Sequence, residues 1–222
     1  MTRPSSHPSA EAPPGHVLPA FPLALLERVR AHDRPGEVLE DEDLMRSMPR
    51  RLGLTGIVFD QMRRYEAAER GGKAVPYAEV ISLIQLVLRR PDAGAILWET
   101  GQVMARRRLE RTPRGLIRAI RILPGSGLGS AARVGRRLLR TLSGGGRVEA
   151  DARPFRVRFS DCPLATLDSL GTGCSLYTGV LETVARAYSG REVKIVHDHC
   201  RARGDAACEW SEAADETVAS AA

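Results

Sequence analysis

Three cysteines and one histidine near the carboxyl end constrain the fold of this chain more than any other feature. Cys174, His197, Cys200 and Cys208 follow the spacing Cys-x22-His-x2-Cys-x7-Cys. Thiolate sulfurs and one imidazole nitrogen form the four-coordinate tetrahedral set that suits zinc. Because four protein ligands fill that set, no position is left for a substrate. The pattern therefore predicts a structural zinc site.

The local sequence supports this arrangement. Cys174 opens a predicted amphipathic helix, whose dipole favours a thiolate at that end. Residues 192–197 alternate between polar and apolar and predict a strand. Arg203-Gly204-Asp205 then predicts a hairpin turn, which would return Cys208 to the side of Cys200.

Two alternatives to this zinc site remain open, and a fourth cysteine lies outside it. His199 is the rival of His197, because the two share a strand face by parity and a bulge would exchange them. The quartet is otherwise a set of unrelated buried side chains, since free cysteine is common in protein cores. Cys162 lies outside the quartet, and we interpret it as a spare, semi-buried thiol because no fixed histidine partner lies near it in sequence.

Composition is that of a soluble protein. The 222 residues are 43% hydrophobic and 27% charged, enough for one large domain with a sizeable core. The first 17 residues lack the apolar segment of a secretory signal, and no apolar run approaches the length of a membrane span. Four cysteines in such a chain favour thiols or metal ligands in a reducing compartment. We expect a cytoplasmic protein.

The pattern of apolar residues changes along the chain and predicts an α+β fold. We expect a disordered lead-in over 1–19, a helical part over 20–142, a sheet and zinc-site part over 143–212, and a disordered tail over 213–222. Predicted helices cover about 22–29, 42–48, 55–70, 77–90, 92–111, 112–123 and 131–142, and predicted strands about 147–150, 154–160, 192–199 and 207–212.

Two segments of the helical part are relevant to partners and cofactors. The helix over 77–90 is apolar on most sides, which predicts burial in the core or in the interface of a homodimer. The glycine-rich stretch 125–130 resembles a dinucleotide loop only superficially, because Ser130 stands where the fingerprint has its third glycine. We interpret it as a connector between helices.

Arginine is concentrated in the middle of the chain, with eleven in the 36 positions from 105 to 140. Basic helices are typical of nucleic-acid binding, but this segment lacks aromatic residues for stacking and any recognisable binding module. We therefore interpret the arginines as solvated helix faces and do not expect a nucleic-acid partner.

The run His-Cys-Arg-Ala-Arg-Gly-Asp-Ala-Ala-Cys-Glu-Trp at 199–210, preceded by the helix that Cys174 opens, resembles the 4-vinyl reductase domain. In zinc-binding members, notably aromatic-sensing activators of bacterial transcription, a cysteine opening a helix, an acidic residue and two further cysteines hold the metal. Cys174, Cys200 and Cys208 match the cysteine positions, and His197 stands where those members have the acidic ligand. The resemblance is close over about 147–210 and loose over about 20–142.

The resemblance implies a small antiparallel sheet packed on helices, as in transport-particle subunits and haem nitric-oxide-binding domains. It also implies a hydrophobic or aromatic small molecule as ligand and a role as a sensor or regulatory module, with output through a separate signalling partner or the dimer. Candidate pocket walls are Trp98, Phe155 and Tyr177, although we favour a core position for Trp98 because large aromatic side chains mostly serve burial.

No catalytic residue is predicted. The chain has no nucleophile elbow, phosphate loop or metalloprotease helix, and no nicotinamide or flavin fingerprint. We therefore favour a binding protein over an enzyme. The alternative is an accessory carrier or reductase that handles a vinyl-bearing tetrapyrrole in bacteriochlorophyll synthesis.

Overall fold

Helices make up most of the first two thirds of the chain, and a four-stranded sheet makes up much of the last third. The computed structural model describes residues 15–33, 56–123 and 126–213. Its α-helices are α1 (Ala20–His32), α2 (Gly56–Arg70), α3 (Tyr77–Val87), α4 (Ala93–Glu110), α5 (Arg114–Ile122), α6 (Ser126–Leu142) and α7 (Ser175–Ser189). Its strands are β1 (His16–Val17), β2 (Val75–Pro76), β3 (Val148–Ala152), β4 (Phe155–Phe159), β5 (Ile195–His199) and β6 (Cys208–Glu212). The predicted α+β class is confirmed.

The main sheet is antiparallel throughout and has the strand order β3-β4-β6-β5. Along β4 the apolar residues Phe155, Val157 and Phe159 are buried and the intervening arginines are exposed, as the alternation in the sequence predicts. Strand β3 continues beyond the predicted end at about 150, because Asp151 still pairs with Arg156 within the β3–β4 ladder. The sheet thus presents one apolar face to the helices.

Helix α7 lies at the centre of the molecule and packs most extensively on α4 and then on α6. Two glycines permit the contact with α4. A Cβ atom on Gly101 would lie 2.0 Å from the carbonyl oxygen of Leu176, and one on Gly179 would lie 2.1 Å from that of Trp98. The backbones of the two helices therefore touch, and this contact fixes the position of the residue at the start of α7.

The predicted helices need two boundary corrections. Helix α6 begins at Ser126, so most of the stretch 125–130 is helical and not a connector. Its Gly127 packs against the end of α7, where an added Cβ would lie 2.7 Å from the carbonyl oxygen of Tyr188. The glycines there serve close helix packing. Helix α3 ends at Val87, three residues before the predicted end.

Helix α3 is buried on one side only. Val80, Leu83, Ile84 and Val87 are buried, but 58% of Leu86 is exposed. One face of α3 therefore belongs to the core. A homodimer interface on the exposed face remains a prediction.

Two further predictions need correction, one for the end of the lead-in and one for the start of α4. Residues 15–19, which we expected in the disordered lead-in, include strand β1, which pairs with β2. Asp92, at which the predicted helix starts, lies just before α4, and its side chain accepts two hydrogen bonds from Arg90 and makes none that caps the helix. The rest of the lead-in, the helix expected over 42–48 and the tail from 214 onward lie outside the described residues.

No helix among the described residues is long and apolar enough to cross a bilayer.

Because the backbones of α4 and α7 touch, one added methyl group at their crossing should lower the stability of the fold strongly. We expect Gly179→Ala to lower the free energy of unfolding by about 3 kcal/mol, because the added carbon meets backbone that cannot rotate away. Chemical denaturation measures the change. Gly115→Ala in α5 is the matched control, since no heavy atom lies within 4 Å of its Cβ position. It should be neutral or stabilising by up to about 1 kcal/mol. Equal stability of Gly179→Ala and the unaltered protein would contradict the close crossing.

Candidate metal centre

The structure brings the four predicted ligands together. The ligand atoms of Cys174, His197, Cys200 and Cys208 all lie within 4.8 Å of one another. The Sγ atoms of Cys174 and Cys208 are 3.9 Å apart. Two sulfurs bonded to one tetrahedral zinc ion lie about 3.8 Å apart, given Zn–S bonds of about 2.3 Å. The cluster therefore has the composition and dimensions of a metal site.

The choice between the two histidines is decided by a bulge in the β5–β6 ladder, between His197 and His199. The ring of His197 stacks on Trp210 with centroids 4.6 Å apart, and its Nε2 atom is buried without a hydrogen-bond partner in the described structure. The side chain of His199 is 59% exposed and lies 3.5 Å from Asp205. His197 is thus the histidine in the cluster, and its orphaned nitrogen fits a metal ligand.

Trp210 orients this ligand, and the sequence analysis did not identify it. Its indole is fully buried, and its Nε1 donates a hydrogen bond to Oγ1 of Thr178 at 3.0 Å. Thr178 belongs to α7, so the indole joins the sheet to the helix that Cys174 precedes. The available signal was its position two residues after Cys208, where alternation along a strand places a side chain on the same face.

Asp168 shapes the loop that leads to Cys174. One carboxylate oxygen accepts hydrogen bonds from the backbone amides of Leu170, Gly171 and Thr172, and the other accepts one from Gly173 at 3.0 Å. The carboxylate therefore satisfies four donors that precede the helix. The sequence analysis missed this role, although an aspartate before a glycine-containing turn is the usual signal for it.

Gly171 lies directly against the cluster. Its φ is +76°, and a Cβ atom would lie 2.6 Å from the Sγ of Cys200. Both the left-handed backbone and the missing side chain are therefore needed to bring this loop beside the hairpin.

The predicted hairpin turn is present as part of the longer connection between β5 and β6. Gly204 has a φ of +97°. Oδ2 of Asp205 accepts a hydrogen bond from the backbone amide of Cys200 at 2.6 Å, and this bond lowers the pKa of the carboxyl group. The turn thus holds the amide of one ligand in place.

The burial of Cys162 differs from the expectation. It is fully buried and not semi-buried, and its Sγ lies 3.8 Å from that of Cys174. It is a fourth sulfur at the edge of the cluster, although it does not belong to the set whose ligand atoms all lie within 4.8 Å of one another.

The thiols influence one another strongly. Hydrogen bonding with Cys162 and Cys208, together with burial, raises the pKa of Cys174 well above its ordinary value. Burial is the main cause of the raised pKa of Cys200. Hydrogen bonds with Cys162 and Cys174 instead lower the pKa of Cys208. Thiols buried so close together therefore cannot all lose their protons unless a cation is present. A divalent cation removes this restriction, because thiolates bind it deprotonated.

The three predicted pocket residues contact different neighbours. Phe155 and Tyr177 are buried, and the ring of Tyr177 contacts Phe159 and Trp210 at centroid distances of 5.6 and 5.9 Å. Trp98 is half-buried and donates a hydrogen bond from Nε1 to Glu182 at 3.2 Å. A shared pocket for these three side chains remains a prediction.

Comparisons with protein-family models, with curated proteins and with solved structures find no match to this chain. The fold and the site themselves define an α+β protein with a three-cysteine, one-histidine cluster between a helix start and a β-hairpin. Three thiolates and one imidazole fit a zinc ion, and such a set would leave no open position for chemistry.

Metal analysis of the histidine variants tests the assignment of the fourth ligand. We expect about one zinc per chain in the purified protein and a lower zinc content in His197→Ala, because a ligand is lost. His199→Ala is the matched control and should keep its metal. Elemental analysis gives the content, and cobalt substitution reports thiolate coordination by its charge-transfer absorption. Loss of metal in His199→Ala, with retention in His197→Ala, would reverse the assignment.

Asp168→Ala should weaken zinc binding by about 10–100-fold, as is usual for residues that orient metal ligands. Competition with a chromophoric chelator measures the affinity. Asp168→Asn keeps one acceptor oxygen and should be intermediate. Asp151→Ala removes an exposed carboxylate from the sheet, away from this loop, and should leave the affinity unchanged.

Proposed function

We propose that this chain is a 4-vinyl reductase-type domain that binds a hydrophobic or aromatic small molecule between its helices and its sheet. The zinc ion stabilises the fold, and the domain works in the reducing cytoplasm as a sensor or regulatory module. Its output goes to a separate protein or through a homodimer. The residues around Cys174, Cys200 and Cys208 and the geometry of their cluster support the family assignment.

Two unpaired phenol hydroxyls in the interior carry the proposal of a buried ligand. The hydroxyl groups of Tyr77 and Tyr177 are buried, and neither has a hydrogen-bond partner in the described structure. Burial raises the pKa of both phenols, and the two hydroxyls lie close enough to affect each other, although they do not meet the geometry of a hydrogen bond. Buried hydroxyls almost always have a partner. A carbonyl or hydroxyl of a mostly apolar ligand supplies one here.

The hydroxyls lie between layers of the fold. Tyr77 is the first residue of α3, and Tyr177 is the third residue of α7. Cys162, which follows β4, is close enough to contribute to the raised pKa of both phenols. The proposed ligand thus lies beside the start of α7 and in reach of the sheet.

The metal cluster and the proposed pocket share their elements. Tyr177 follows Cys174 by three residues, and its ring meets that of Trp210 edge-on, with an interplanar angle of 87°. Trp210 in turn stacks on the ligand His197. A ligand that moves Tyr177 therefore acts on the helix start and hairpin that zinc joins, and it changes their equilibrium only through a difference in affinity between two conformations.

Binding of a vinyl tetrapyrrole tests the proposal. Divinyl protochlorophyllide is titrated into the zinc-loaded protein, and a saturable shift of its absorption bands is expected. Tyr177→Phe should weaken binding by about tenfold, because one hydrogen bond is lost. The same variant should not destabilise the free protein, since the hydroxyl has no partner to lose. Tyr188→Phe, also on α7, is the control and should bind normally.

Three outcomes separate the alternatives. A shift alone indicates binding or carriage, whereas conversion of the vinyl group on addition of a reductant indicates the reductase. Absence of a shift, together with destabilisation of free Tyr177→Phe, would show that the phenols belong to a packed core and would refute the buried ligand.

A further inference from the structure

Helix α5 is strongly amphipathic, yet none of its residues is buried. An amphipathic helix of a globular protein normally turns its apolar stripe toward the core. Here Ile117 and Ile120 pack against the core but are only half-buried. Leu116, Ile122 and Leu123, which directly follows the helix, are 52%, 73% and 60% exposed. Much of the apolar surface of this segment therefore faces solvent.

The exposed apolar side chains of this segment are clustered. Isolated apolar side chains on a surface are ordinary and need no explanation. Among the described residues, however, three of the seven exposed large apolar side chains lie within 116–123. Leu116, Ile120 and Leu123 follow the spacing i, i+4 and i+7, which places them along one face. Contiguous apolar surface of this kind is typical of an interaction site.

The same segment is basic. Residues 111–123 contain four arginines and no acidic residue. Arg114 and Arg118 are exposed and lie about one helical turn apart. Arg121 instead donates a hydrogen bond from Nε to the backbone carbonyl of Ala187 at 2.8 Å, which holds α5 against the end of α7. The surface thus combines exposed apolar and cationic side chains on a helix that the rest of the fold already holds in place.

This combination distinguishes among possible partners. A nucleic acid would bind the arginines but leave the apolar side chains in water. A second copy of the chain would bring the arginines of one protomer near those of the other, because both copies present the same surface across a twofold axis. A lipid bilayer with anionic headgroups suits both groups, since it takes up apolar side chains and its phosphates attract guanidinium groups.

We propose that α5 docks this protein on a membrane surface that contains anionic phospholipids. The helix lies in the plane of the interface, with Leu116, Ile122 and Leu123 at the boundary between headgroups and acyl chains. The long side chains of Arg114 and Arg118 reach the headgroup phosphates. Three apolar side chains on a helix of 9 residues give reversible binding and not permanent insertion. The proposal does not depend on the hydrophobic ligand proposed above.

Co-sedimentation of the full-length protein with phospholipid vesicles tests this surface. Vesicles of equimolar phosphatidylglycerol and phosphatidylcholine should bind the protein, and vesicles of phosphatidylcholine alone should bind it much more weakly. Ile122→Gln/Leu123→Gln should lower the affinity for the anionic vesicles by about tenfold or more, because two apolar side chains no longer leave water. Leu86→Gln/Leu170→Gln is the matched control, since it removes two exposed leucines from α3 and from the loop before α7. It should bind as the unaltered protein does.

A charge variant and a salt series separate the two contributions to binding. Arg114→Gln/Arg118→Gln should weaken binding to the anionic vesicles by about tenfold and leave the weak binding to neutral vesicles unchanged, because only the attraction to headgroup charge is lost. Salt at about 0.5 M should reduce binding to the anionic vesicles without abolishing it, since the apolar contact is not screened. All the altered residues are exposed, so the circular dichroism spectra and Tm values of the variants should match those of the unaltered protein.

Four results would overturn the proposal. One is the absence of binding to the anionic vesicles, and another is equal weakening by the two variants that replace apolar residues, which indicates unspecific adhesion. The third is tighter binding to polyglutamate or to a duplex oligonucleotide than to the vesicles, which indicates an acidic macromolecule as partner. The fourth is self-association of the unaltered protein in sedimentation velocity that Ile122→Gln/Leu123→Gln abolishes, which indicates that a second copy covers this surface.

Discussion

The contact between the start of α7 and the β5–β6 hairpin is the constraint on which the rest of this structure depends. Cys174 lies at the amino end of the central helix, whereas Cys200 and Cys208 flank the hairpin connection. Thiols buried so close to one another cannot all ionise without a cation. The arrangement therefore lowers the stability of the fold unless a metal binds. A bound metal converts that cost into a link between helix and sheet, and binding energy of this kind is folding energy.

The link works because its surroundings are rigid. Glycines at the crossing of α4 and α7 bring the two backbones into contact, which leaves little freedom for the helix start. The carboxylates of Asp168 and Asp205 hold the two loops that carry the ligands. Trp210 fixes the imidazole of His197 through its stacked ring and ties the sheet to Thr178. Each support acts on a different ligand, so together they define the geometry of the cluster before metal binds.

Sequence reasoning succeeded where the determinants are local. The cysteine pattern predicted three members of the cluster, and the alternation along β4 predicted its buried face, because both follow from short sequence patterns. It left His197 and His199 open, since the bulge that separates them is a property of the pairing with β6. It misread the glycines around Gly127 as a connector because their role is to let α6 approach the distant end of α7. Asp168 was missed although its partners are local, and closer attention to turn chemistry would have found it.

The concavity lined by Arg108 and by the arginines of α6 is likewise a property of the tertiary structure. Their spacing along α6 is visible in the sequence, but the concavity arises only when Arg108 and the residues of β1 are brought opposite to them. A closed sulfur cluster and an open basic cleft have opposite chemistry. The cluster is formed by three buried sulfurs and one half-buried imidazole, whereas the arginine side chains line an open concavity at the surface. Gly135 of α6, against which Leu181 of α7 packs closely, joins the helix that lines this concavity to the central helix.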